Sequence, residues 1–193
     1  MQFTFPVPHM LRLKATVQPW EASVTGADQT RMVRRAEELG YDMIAVPEHF
    51  IIPRSHVDLS GPHYFHAAAA QGYIAGATSR IRINSCITIL PLQHPVVTAK
   101  ALSTIDWMSS GRITVTFAVG WLEEEFKLLG VPFHERGRMS DEYLAAIIEL
   151  CPPTKQHRET RHSRRPPDDL APIPQHQRHT IPVGFAHGQG FEF

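Results

Sequence analysis

The chain has 193 residues, 42% of them hydrophobic and 20% charged, enough for one domain with a sizeable core and too little for two large ones. Nineteen Lys and Arg balance nineteen Asp and Glu, which argues against a basic nucleic-acid binder and against an acidic disordered chain. A mean hydropathy of −0.20 and the lack of any apolar run of about 18 residues argue against a membrane span.

In chain order, Gln2 to Val7 is a short strand-like run that Pro6 keeps short. Ala27 to Leu39 reads as a helix with Met32, Val33, Ala36 and Leu39 on one face and Gly40 in the C′ position. Asp42 to Val46 is a nearly continuous apolar strand, the pattern expected when both faces are covered. A polar loop from Pro47 to about Pro62 follows, long enough to be functional. Tyr64 to Ala77 is Ala-rich, with Tyr64, Ala67, Ala68, Gln71 and Ile74 at helical spacing. Ile81 to Leu90 is a third strand, and Pro95 to Met108 a helix with Pro in its first turn. Ile113 to Val119 is a fourth strand, and Leu122 to Leu129 and Gly137 to Leu150 are two further helices. The acidic run Glu123-Glu124-Glu125 falls in a first turn, where it suits the helix dipole and reads as a solvated face.

Strand and helix alternating four times imply parallel strands joined by crossovers, with a TIM-type barrel or a doubly wound sheet both compatible. No G-x-G-x-x-G follows the first strand and no phosphate-binding P-loop motif occurs. The pattern stops at Cys151. Residues 1–150 carry thirteen basic and fifteen acidic side chains, and residues 151–193 carry six and four with seven prolines and five histidines. That tail reads as disordered by composition, or as a stretch out of frame, with only Ile181 to Phe185 and the final Phe-Glu-Phe able to pack. The opening MQFTFPVPHMLRLK has no basic head followed by an apolar stretch, so no signal peptide is readable. Cys86 and Cys151 make no disulfide framework, and a cytoplasmic location is expected.

Sites in parallel α/β proteins lie at the carboxyl ends of the strands. Glu48-His49-Phe50 stands at the end of the second strand, where a histidine can donate to an anionic ring or move a proton near neutral pH. Glu48 is able to fix the tautomer of that ring or to face solvent. Asn84-Ser85-Cys86-Ile87 ends the third strand with small residues, which let a flat ring approach the backbone or simply pack. Gly120-Trp121 ends the fourth, where Gly permits close approach or an unusual φ and Trp121 walls a pocket or packs. His56, His63 and His66 crowd the same region as Glu48 and His49, but without an established ligand spacing no metal is expected. Cys86 within an apolar strand reads as an inert thiol. Asp106, Arg112 and Arg136 read as structural charges.

These blocks resemble the luciferase-like monooxygenase superfamily, most closely its actinobacterial deazaflavin-dependent oxidoreductase branch. The matching residues are Ala36 to Asp42 leading into Pro47 to Phe50, Thr78 to Ile83, Leu90 to Val96, Ala99 to Leu102, Asp106, Ser110 to Arg112, Val119 to Phe126, Gly130 to Phe133 and Arg136. The resemblance implies a TIM-type (β/α)8 barrel family, of which residues 1–150 hold about the first four βα units, followed by the unrelated tail 151–193. It implies a hydride-transfer or monooxygenation enzyme using coenzyme F420, with FMN as the alternative, on a small organic substrate. A homo-oligomer is expected, with no nucleic-acid or membrane partner. His49 would contact the cofactor ring and be the catalytic residue, with Glu48, Ser85, Cys86, Ile87, Gly120 and Trp121 also binding the cofactor. Family members often carry a non-proline cis peptide at the end of the third strand, here at Cys86–Ile87. The catalytic glutamate of some family dehydrogenases has no match, because Trp121 stands there. The other reading is a truncated, inactive half-barrel that at most pairs with another chain.

Overall fold

Each apolar run is followed by a segment whose buried face is helical, and the chain alternates accordingly. A computed structural model of the protein describes residues 2–151 and 183–185. The elements are β1 (Thr4–Pro6), α1 (Gly26–Glu38), β2 (Met43–Val46), α2 (Val57–Ser60), α3 (Ala67–Ala77), β3 (Arg82–Ile89), α4 (Pro95–Met108), β4 (Ile113–Ala118), α5 (Glu123–Leu128), α6 (Arg136–Leu150) and β5 (Val183–Phe185). The strands form one sheet in the order β1-β2-β3-β4-β5, every pair parallel. An unbroken sequential order is how strands follow one another around a TIM-type barrel. A doubly wound sheet instead reverses its order at a switch point, so the order decides between the two topologies that the sequence pattern leaves open.

β5 adds a strand beyond the four of the sequence pattern. It pairs Val183, Gly184 and Phe185 with Val115, Thr116 and Phe117 and falls within Ile181 to Phe185, the part of the tail expected to pack. The expectation of a disordered or out-of-frame stretch otherwise lies outside the described residues.

Alternation divides the sheet into two faces. Ile44 and Val46 of β2, Ile83 and Ser85 of β3, and Ile113, Val115 and Phe117 of β4 are fully buried. Their hydrophobic members form one core with Val33, Ala36, Ile74, Leu102 and Ile105 of the helices. On the other face Met43, Ala45, Asn84, Cys86, Thr114 and Thr116 are only half-buried. β2 is therefore covered on one face more than the other, unlike the two-sided burial its composition suggests. The helices lie where the periodicity puts them, with two differences at their ends. Leu39, expected on the apolar face, caps α1 at 61% exposure while Gly40 takes φ +81° to turn the chain. Tyr64 lies ahead of α3, because Tyr64 and Phe65 are held away from the helix by a Leu11–Tyr64 bridge and a Phe65 N–H donated to the Met10 carbonyl.

Two charged side chains close the turn between α3 and β3. Arg112 donates to the carbonyls of Ala75, Thr78 and Ile81, to the Thr78 hydroxyl and to the Ser109 carbonyl, at 2.8–3.2 Å. It thus satisfies carbonyls that the end of a helix leaves open. Glu37 of α1 accepts the backbone N–H groups of Ser79, Arg80 and Ile81. Burial alone would raise its carboxyl. The Ile81, Arg80 and Ser79 amides and the Ser79 hydroxyl outweigh that and hold it at about 2.

Glu37→Ala is expected to cost about 1–2 kcal/mol at neutral pH, the scale of a partly solvent-screened carboxylate with several backbone donors. Because the folded carboxyl titrates below the unfolded one, this stability is present above about pH 4.5 and is lost as pH falls towards about 2. The urea midpoints of variant and parent should converge over that interval.

Candidate functional site

The pairing of Val46 with Ser85, and of Ile89 with Ala118, brings the carboxyl ends of β2, β3 and β4 to one edge of the sheet. His49 lies three residues beyond the end of β2, its side chain 11% exposed. Its Nδ1 lies 3.0 Å from Oε2 of Glu125, a side chain with no exposure at all. The other carboxylate oxygen of Glu125 accepts the N–H of Phe50 and, at 3.2 Å, that of Ile51. Glu125 is the residue that sequence reasoning misses, by treating the acidic run as one solvated face. Glu123 and Glu124 are exposed, whereas Glu125 shares the inner face of α5 with Leu122 and Phe126, all three essentially without exposure. The spacing i, i+3, i+4 from Leu122 is the signal that could have found it.

Glu48 does not hold the His49 ring and does not face solvent. It is 2% exposed; its two oxygens accept the Ala67 N–H at 3.0 Å and the Gln93 side-chain amide at 2.7 Å. Burial pushes its carboxyl upward against those bonds. Its place is between the end of β2, the start of α3 and the turn after β3.

At the end of β3 the Cys86–Ile87 peptide is cis, where the family resemblance implies it. The pairing with β4 shifts between Cys86 and Thr88, leaving Ile87 as the bulged residue. Cys86 is half-buried, and burial pushes its thiol up, away from the reactive thiolate. Ser85 lies on the core face between Val46 and Val115, fully buried, its hydroxyl without a partner among the described residues. Gly120 has φ +79°, and a Cβ there would meet Ile89 Cγ2 at 2.7 Å and Phe126 Cε2 at 2.8 Å. Both the space and the backbone require glycine. Trp121 is 49% exposed, with its ring 5.9 Å from that of His49 and 5.6 Å from that of His56. Tyr64 packs edge-on against His49 at 4.7 Å.

The other histidines disperse. His63 packs at a tilt against His9, ring centroids 4.9 Å apart, and His66 meets the edge of Phe50 at 5.9 Å. Among the described residues no three His, Cys, Asp or Glu side chains come together as a metal-holding group. A cavity of about 470 Å³ opens between the first turn of α1 and α3, with His9, Phe65, His66 and Tyr73 in its wall. His49 and Trp121 do not line it, so the cluster of rings and the cavity are separate features. No helix among the described residues is long and apolar enough to cross a membrane.

The family profile described as luciferase-like monooxygenase matches residues 8–189, and the chain belongs to that family. An uncharacterized protein of Mycobacterium tuberculosis (strain ATCC 25618 / H37Rv) is 32% identical over 138 residues, 65% of this chain and 49% of the relative. The chain spans about half the length of the curated relatives it matches at that identity. An F420-dependent secondary alcohol dehydrogenase, solved with an F420-acetone adduct, superposes with a TM-score of 0.64 at 19% identity, over 95% of this chain and 51% of that one. The oxygenating constituent of 3,6-diketocamphane monooxygenase of Pseudomonas putida, solved with FMN, gives 0.62 at 16% identity, over 78% of this chain and 39% of that one. At these identities the superpositions establish the TIM-barrel fold of the family.

Gly120→Ala combines a left-handed φ with two contacts that no Cβ tolerates. We expect a loss of about 2–4 kcal/mol, an overpacking cost added to backbone strain, read as a drop in urea midpoint.

Proposed function

We propose that this chain, as a member of the luciferase-like monooxygenase family, is part of an oxidoreductase that holds the ring of a flavin-type cofactor at the carboxyl edge of its sheet. Coenzyme F420 is the first candidate and FMN the second, acting on a small organic substrate by hydride transfer or monooxygenation. The observation that carries this reading is the cluster of His49, Tyr64 and Trp121 at that edge, with the His49 Nδ1 side already bonded to Glu125. The residues present fit a flat ring: Trp121 offers a half-exposed aromatic face, and Cys86 and Ile87 are half-buried at the end of the neighbouring strand.

When bound, such a cofactor supplies the hydride or activates oxygen. The protein's part is to bind and orient it. His49 presents its Nε2 edge as the polar contact, Tyr64 and Trp121 wall the ring, and Cys86 and Ile87 line the adjoining strand end. Gly120 lets β4 turn tightly enough to bring Trp121 over the edge. Glu48 and Ser85 support this arrangement from inside, Glu48 by tying the end of β2 to Ala67 and Gln93. The whole enzyme's substrate and a homo-oligomeric assembly belong to the same proposal.

The test is titration of the purified chain with coenzyme F420 and with FMN, followed by fluorescence. We expect saturable binding of one ring, weakened about tenfold in His49→Asn, the scale of one lost hydrogen bond of about 1.4 kcal/mol. Asn preserves an N–H donor near the Nδ1 position for Glu125 but removes the Nε2 edge, so thermal stability should stay within about 1 kcal/mol of the parent. Folded protein that binds neither ring would instead favour the non-catalytic half-barrel.

A further inference from the structure

Two main-chain N–H groups and one imidazole nitrogen converge on Glu125, an arrangement that suits an ionised carboxylate. One oxygen is committed to the main-chain donors of Phe50 and Ile51. The other lies 3.0 Å from His49 Nδ1. An ionised carboxylate only accepts hydrogen bonds, so the proton in this contact belongs to Nδ1. A neutral imidazole carries one ring proton, which leaves Nε2 with a lone pair. That nitrogen makes no hydrogen bond among the described residues. It is also not one of the nitrogens sealed away without a partner, which lie on His9, Arg12, His63 and Arg136.

We infer that Glu125 is a positioning residue: it fixes neutral His49 as the Nδ1–H tautomer and presents Nε2, at the carboxyl edge of the sheet, as an acceptor for a ligand O–H or N–H. The assignment is the opposite of the preference of free histidine, whose neutral ring carries its proton mainly on Nε2. It also narrows what His49 does. In its neutral form the residue receives a hydrogen bond or a proton from what binds there and does not donate one. This rests on the site reading above, yet it is measured without any cofactor. A failure of cofactor binding and a failure of the tautomer assignment are therefore separate results.

The experiment is long-range ¹H–¹⁵N correlation on the full chain with ¹⁵N-labelled histidine, recorded as pH is raised until the His49 ¹⁵N shifts no longer change and the ring is neutral. The His49 signals are identified by their loss in His49→Asn. The expected result is the Nδ1–H form as the dominant species. Glu125→Gln supplies the contrast. The side-chain oxygen of the glutamine must stay with the Phe50 and Ile51 amides, which turns its NH₂ towards Nδ1 and makes that nitrogen an acceptor. The dominant tautomer should then invert to Nε2–H. A merely structural Glu125 would alter the urea midpoint and leave the tautomer where free histidine has it. The inference is overturned by an Nε2–H ring in the parent chain, or by a Gln variant that keeps the parent's tautomer. Should Glu125→Gln not fold, the parent's tautomer alone decides.

Discussion

A carboxylate with no solvent exposure organises the carboxyl edge of this sheet. Removing an ionised Glu125 from water costs several kcal/mol unless donors replace the lost hydration. The donors here all come from one segment, the His49 ring and the main-chain N–H groups of Phe50 and Ile51. The loop after β2 is thereby fastened to the helix after β4, across the intervening strand. Neighbouring features follow from the same packing. Phe126, beside Glu125 in α5, fills the space next to residue 120 and leaves room there for glycine only. The turn at Gly120 in turn puts Trp121 at the edge, beside His49 and His56.

A second buried carboxylate does related work one strand away. Glu48 joins the end of β2 to the start of α3 through Ala67, and to the turn after β3 through Gln93. Gln93 is itself tied to Thr98 at the start of α4. Adjacent residues of one motif thus face opposite ways. His49 turns outward to Glu125 and the aromatic rings, and Glu48 turns inward to backbone and amide donors. Below them, Arg112 and Glu37 close the turn at the opposite end of β3, mostly through main-chain partners, with the Thr78 and Ser79 hydroxyls beside them. The fold fixes its loops at both ends of the sheet by the same device, a charged side chain that satisfies backbone groups where helices and strands leave them unpaired.

Much of this architecture is legible in the amino-acid sequence. Helices at 95–108 and 136–150 and strands at 82–89 and 113–118 lie within a residue or two of their expected ranges, because long periodic segments state their buried face in every turn. The positions of Glu48-His49-Phe50 and Gly120-Trp121 at strand ends are legible for the same reason. Glu125 does not stand out, since three consecutive glutamates look alike until the helix phase is fixed by Leu122 and Phe126. Nor does the division of labour between Glu48 and Glu125, because adjacency in sequence suggests a pairing that the strand geometry forbids. The spacing of Tyr64 suggests a helix, and a long-range bridge to Leu11 outweighs that local preference.

The amino-acid sequence by itself determined the βα rhythm, the family and which residues stand at the strand ends, all of which are local or periodic properties of the chain. Tertiary structure decided the sequential strand order that separates a barrel from a doubly wound sheet. It also decided which of three glutamates is buried, and which carboxylate meets the His49 ring. These last features depend on donors 74 to 76 residues away in the chain. A residue's desolvation cost and its hydrogen-bond partners are set by what folding brings beside it, and neighbours in sequence do not specify either.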